Sequence, residues 1–176
     1  MLESKRVLVV VAPFYRDIAD MLTQGCVDRL VEGGIEAIVT EVPGALELPI
    51  AIRIAAESEE YDGFVALGCV IRGETSHYDT VSNESARGLM ALGIEAGLAI
   101  GNGILTVENT EQAHVRADPT QKNKGAGAAD ACIALMGMQD ASPLAARAGE
   151  GREPTFLPDS EHMQIAGSTT DSTRNV

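Results

Sequence analysis

The chain has 176 residues, 26 acidic against 13 basic side chains, a formal charge of −13 and 45% hydrophobic residues. That length predicts one domain with a real hydrophobic core. The acidic balance opposes nucleic acid and anionic membrane as partners, because both select a basic surface that no segment here supplies, so an anionic ligand has to be met by a few placed cations.

Val7 to Ala12 is a continuous apolar, β-branched run, which predicts a central parallel strand buried on both faces. Lys5-Arg6 ahead of it imitates the start of a signal peptide, but the apolar run is short and Arg16-Asp17 follows at once. With no long apolar span either, a cytoplasmic protein is expected. From Asp17 to Glu32 apolar residues recur at three- and four-residue spacing, predicting a helix stopped by Gly33-Gly34. Ile35 to Val42 follows as a strand, Pro43-Gly44 as a turn, and Ala45 to Ala56 as a helix with Pro49 in its first turn. Gly63 to Ile71 reads as the third strand, and a polar loop leads to a helix from Asp79 to Glu95, ended by Gly97. Ala99 to Val107 is the fourth strand, where Gly101 and Gly103 permit close approach of a ligand or another backbone. A short helix capped by Thr110 ends near Arg116, and Asn123 to Met138 forms the last. The alternation predicts a three-layer α/β/α sandwich on a four-stranded parallel sheet. Residues 1–140 are expected to form this domain. Residues 141–176, rich in Pro, Gly, Ser and Thr, are expected to be a disordered extension.

Chemistry on open parallel sheets gathers beyond the carboxyl ends of the strands. The third strand runs there into Arg72, Glu74, Thr75, Ser76 and His77, and His77 is one of only three histidines. A histidine beside hydroxyls at a strand end is a candidate for proton transfer near neutral pH, set against the plain role of a surface loop residue. Phe14, beyond the first strand, either covers the core or stacks on a planar heterocycle. Glu47, at a helix start, either complements the helix dipole or accepts hydrogen bonds from hydroxyls. Arg116 either opposes a helix carboxyl end or clamps a phosphate with its planar fork. Lys122 to Ala128 is a glycine-containing basic loop opening a helix, a weak anion signal on its own. His114 and His162 are expected to be structural or solvent-exposed. Cys26, Cys69 and Cys132 stand far apart among apolar neighbours and read as buried thiols in a reducing compartment. The first strand lacks a Gly-x-Gly-x-x-Gly turn, no Gly-Lys-Ser/Thr loop occurs, and no metal-ligand spacing is present, so dinucleotide, nucleoside triphosphate and metal chemistry fall away.

Five blocks taken together resemble the lumazine synthase family of riboflavin biosynthesis, over about Val7 to Met136. They are Pro13-Phe14-Tyr15, Val42-Pro-Gly-Ala-Leu-Glu-Leu-Pro49, Leu67-Gly-Cys-Val-Ile-Arg-Gly-Glu-Thr-Ser-His-Tyr-Asp79, Gly103-Ile-Leu-Thr-Val-Glu-Asn109, and Arg116 with Asn123-Lys-Gly125. The resemblance implies a flavodoxin-like fold. It implies condensation of 5-amino-6-(D-ribitylamino)uracil with 3,4-dihydroxy-2-butanone 4-phosphate to 6,7-dimethyl-8-ribityllumazine, phosphate and water, with no organic or metal cofactor.

By resemblance His77 transfers protons. Phe14 stacks on the pyrimidine, Ala45, Leu46 and Glu47 hold the ribityl chain, and Cys69, Val70 and Ile71 offer backbone groups to the ring. Asn102 and Lys124 also belong to the ribitylaminouracil site, whereas Glu74, Thr75 and Arg116 belong to the butanone phosphate. The resemblance further implies a homo-oligomer, a pentamer or an assembly of pentamers, in which Asn102 and Arg116 reach the site of a neighbouring subunit. Leu46 stands where many relatives carry an aromatic residue and Asn102 where some carry phenylalanine, which implies a less stacked, more polar pocket. The competing expectation is a family member that binds flavin-like ligands or builds a shell without turnover. A receiver-like signalling domain shares the sheet but needs an aspartate at the end of the third strand, where Cys69-Val70 stands.

Overall fold

The computed structural model describes residues 5–141. The expected extension therefore lies, apart from Ala141, outside the described residues, as does His162. The elements run β1 (Arg6–Val11), α1 (Arg16–Glu32), β2 (Glu36–Glu41), α2 (Glu47–Ala56), β3 (Gly63–Ile71), α3 (His77–Glu95), β4 (Ile100–Val107), α4 (Thr110–Ala117) and α5 (Lys124–Asp140). All strand pairs are parallel, in the order β2-β1-β3-β4. The chain moves outward from β1 to β2, then crosses back to β3 on the other side. The junction of β1 and β3 is thus the switch point at which an open α/β sheet leaves a crevice.

Successive side chains of a strand point to opposite faces. Val7, Val9 and Val11 accordingly enter one core cluster, with Ile18, Leu22, Cys26 and Leu30 of α1 and Ala128, Ala129 and Cys132 of α5. Leu8, Val10 and Ala12 enter the other, with Leu48 and Ile52 of α2 and Leu89 of α3. The two clusters flank the sheet and make the α/β/α sandwich that the pattern predicts. Each fully buried Leu or Ile stabilises the fold by roughly 1.5–3 kcal/mol relative to its exposed state.

The first face is closed by backbone contact. A Cβ on Gly101 would collide with the Ala128 carbonyl oxygen, and one on Gly125 with that of Leu22. Gly101 thus answers the expected choice between ligand and backbone: α5 lies directly on β4.

Most boundaries shift by a residue or two from the sequence expectation, and three of the shifts bear on the site or its supporting helices. Helix α3 begins at His77 rather than Asp79, so His77 opens the helix instead of ending a loop. Helix α4 is capped by Asn109, whose Oδ1 accepts from the Gln112 amide at 2.9 Å, while Thr110 is its first residue. An extended Asn presents its carbonyl to the amide three residues on, which displaces the threonine as cap. Helix α2 starts at Glu47, and Ala45 and Leu46 form the turn before it.

Candidate active site

A pocket of about 450 Å³ opens beyond the carboxyl ends of β1 and β3. Strand β1 delivers Phe14 into it, the turn after β2 delivers Ala45, Leu46 and Glu47, and the end of β3 delivers Cys69, Val70 and Ile71. The loop after β3 adds Thr75 and the start of α3 adds His77. Nine residues singled out at four separate places in the sequence therefore line one cavity. Tyr15, Tyr78 and Val81 join them. Val81 lies one helical turn beyond His77, a placement legible only once the helix is known to start at His77.

Geometry decides two of the open choices. Phe14 is 75% exposed, so its ring is not a lid on the core but a free face at the pocket mouth, held edge-on by Tyr15 at a centroid distance of 5.1 Å. Glu47 is the first residue of α2 and also lines the pocket, so it can complement the helix dipole and face a ligand together. The His77 amide donates to Thr75 Oγ1 at 3.4 Å, tying the two polar residues of the loop end to each other. Burial, with the Asp17 carboxylate adding to it, pushes the Cys69 thiol up to about 11. At neutral pH Cys69 is thus a protonated thiol, not a thiolate nucleophile.

The remaining sequence candidates lie elsewhere. Glu74 is exposed in the loop between β3 and α3 and does not line the pocket. Asn102, Arg116 and Lys124 line a second concavity, of about 360 Å³, along β4 and the start of α5. Arg116 stands in the last turn of α4, where a cation opposes the helix dipole; its Nη1 donates to the Gln112 carbonyl oxygen at 3.0 Å and its side chain borders the concavity. Asn123, in a left-handed conformation with φ of 41°, caps α5 by accepting from the Ala126 amide at 3.2 Å. Lys124, the residue after that cap, lines the same concavity. Among the described residues no Lys or Arg lines the first pocket.

His114 Nε2 contacts Asp17 Oδ2 at 3.1 Å and joins α4 to α1, a structural role as expected. Cys26, Cys69 and Cys132 are free and buried. Among the described residues no group of three or more His, Cys, Asp or Glu side chains is arranged to hold a metal ion. Among them, too, no helix is long and apolar enough to cross a membrane.

An all-parallel α/β sandwich with a mainly apolar pocket at its switch point defines a protein of the flavodoxin-like fold class. A family model described as 6,7-dimethyl-8-ribityllumazine synthase matches residues 4–140. The chain belongs to that family. It is 57% identical over 133 residues to the 6,7-dimethyl-8-ribityllumazine synthase of Novosphingobium aromaticivorans, covering 76% of this chain and 95% of the relative. It is 58% identical over 135 residues to the enzyme of the same name from Erythrobacter litoralis, covering 77% and 96%. With the one from Zymomonas mobilis it shares 57% over 132 residues, covering 75% and 94%.

Proposed function

We propose that this chain is a transferase that condenses 5-amino-6-(D-ribitylamino)uracil with 3,4-dihydroxy-2-butanone 4-phosphate to 6,7-dimethyl-8-ribityllumazine, releasing phosphate and water. The observation that carries the reading, beside family membership, is the convergence of Phe14, Glu47 and His77 on one pocket. The pyrimidine stacks on the exposed ring of Phe14, and Cys69, Val70 and Ile71 present backbone groups to its edge. The hydroxyls of the ribityl chain donate to Glu47, beside Ala45 and Leu46. His77 moves the protons that imine formation, phosphate departure and ring closure require. Thr75 borders the phosphoketone, and Glu74, outside the pocket in the single chain, reaches it only if its loop turns inward. Holding the amine and the ketone in line supplies a large part of the acceleration, on the order of 7–11 kcal/mol for well-oriented reactants.

The dianionic phosphate needs cations, and among the described residues no Lys or Arg lines the first pocket. Arg116 and Lys124 border the other concavity of the same chain, with Asn102 of β4 beside them. A ring of identical subunits brings the β4 concavity of one against the first pocket of the next, so the working form is a homo-oligomer, a pentamer or an assembly of pentamers. Exposed apolar pairs at four-residue spacing, Ile50 with Ile54 on α2 and Met90 with Ile94 on α3, support such association. Buried free thiols fit the reducing cytoplasm as its location.

The test is to mix the purified protein with both substrates and follow lumazine absorbance and phosphate release together. Product with stoichiometric phosphate is expected. Binding of the pyrimidine without product would overturn the reading in favour of a silent, ligand-binding or shell-forming member.

A further inference from the structure

Five exposed residues, Arg72 to Ser76, separate β3 from the helix that His77 opens, so something outside the loop's own backbone has to fix the angle at which that helix leaves the sheet. Arg72 has the contacts to do so. Its amide donates to the Val107 carbonyl oxygen at 2.9 Å, which carries the β3–β4 ladder one residue past the end of β3. Its Nε donates to Glu108 Oε2 at 2.9 Å, just beyond β4. Its Nη1 donates to Asp79 Oδ1 at 3.2 Å, in the first turn of α3. The guanidinium also lies over the ring of Tyr78, 3.9 Å from its centroid, and Tyr78 lines the pocket beside His77. One planar side chain therefore joins the ends of two strands to the two residues that follow His77.

We propose that Arg72 is a positioning residue for the condensation: it locks the first turn of α3 against the ends of β3 and β4 and thereby sets where His77 stands in the pocket. A fork that satisfies two carboxylates and stacks on a ring fixes orientation in a way that a flexible ammonium does not. Two carboxylates also occupy the guanidinium, which separates it from Arg116: Arg72 is engaged within the protein and is not the phosphate cation. Glu108 and Asp79 are half-exposed, so the contribution to global stability is small while the effect on geometry is local.

This inference rests on the reaction proposed above, and its test separates the two. Arg72→Gln, Arg72→Lys and Glu108→Gln are compared with the wild-type protein by steady-state kinetics in each substrate and by hydrogen exchange of the amides of residues 73–79. For Arg72→Gln, kcat falls about tenfold, less than the roughly 10²-fold that a misplacement of about 1 Å can cost, with KM for both substrates within about twofold. Arg72→Lys recovers part of kcat by restoring charge without the fork, and Glu108→Gln, which removes one arm and leaves the Asp79 contact, gives a smaller loss in the same direction. Amide exchange in residues 73–79 accelerates in the same rank order, while exchange in β1 is unchanged. Unaltered kcat in Arg72→Gln with unaltered exchange would overturn the proposal. So would a rise confined to KM for the butanone phosphate, which would make Arg72 a phosphate ligand. If the wild-type protein itself makes no lumazine, the reaction reading fails, and the exchange pattern still decides whether Arg72 holds the start of α3.

Discussion

The pocket between β1 and β3 and the concavity along β4 are cut into one sheet, yet their linings differ. The first is walled by Phe14, Leu46, Val70, Ile71 and Val81, with Glu47, Thr75 and His77 as its polar points. The second, somewhat smaller, has Asn102 and Thr106 exposed on an edge strand with Arg116 and Lys124 beside them. Under the proposed function a planar ring occupies the former and an anion the latter. On that reading an acidic chain handles a phosphorylated substrate without a basic surface, because a neighbour brings the cations in.

That division can be broken from either side. The largest effect is expected for His77→Asn, which removes the proton carrier from the first pocket and lowers kcat on the order of 10²-fold. Arg116→Ala comes next. Losing charge-assisted hydrogen bonds worth about 2–3 kcal/mol raises KM for the butanone phosphate roughly 30- to 150-fold, with KM for the pyrimidine nearly unchanged. The sharpest form of the comparison mixes these two variants. If each site takes His77 from one chain and Arg116 from the next, random co-assembly restores about a quarter of the sites, measured as recovered activity after joint refolding. No recovery would mean that both halves of the site belong to the same chain.

Smaller changes probe each half alone. Phe14→Ala removes an aromatic contact of about 1 kcal/mol and weakens pyrimidine binding several-fold, read by calorimetry, without altering dependence on the phosphate. The smallest expected effect is chemical. With its thiol at about 11, Cys69 is protonated below that value, and its thiolate fraction at pH 8 is about one part in a thousand. Iodoacetamide at pH 8 should leave it unmodified, as mass spectrometry of the folded protein would show, and alkylation should rise as the pH approaches 11.

Much of this layout was legible before any coordinates. The buried runs of β1 and β3 and the glycine-terminated helix α1 carry their period plainly, and Phe14, Glu47 and His77 stand where strands or turns end. What escaped was set by contacts between distant segments. The sequence places the start of α3 two residues late because the polar run from Arg72 to Ser76 offers no apolar period, and Ser76 as N-cap makes no side-chain cap bond. It favours Thr110 over Asn109 as a cap because threonine is also a good one and only the extended backbone of Asn109 decides between them. The part played by Arg72 depends on the register that sets Ile71 opposite Val107. Only that pairing brings Arg72 and Glu108 side by side from 36 positions apart. The split of the candidate residues between two concavities likewise needed the fold, since Arg116 and Lys124 are separated from β3 by an entire strand and helix.

The glycine contacts between β4, α5 and α1 have a consequence for assembly. Because the backbones of Gly101 and Gly125 touch those of Ala128 and Leu22 with no side chain between, the strand bearing Asn102 and the helix bearing Lys124 cannot shift independently. That face of the chain is thus held in place by its own backbone contacts. On the proposed composite site, joining two subunits then demands correct orientation but no local refolding, and the precision of the completed site is inherited from the folding of each chain rather than created at the encounter.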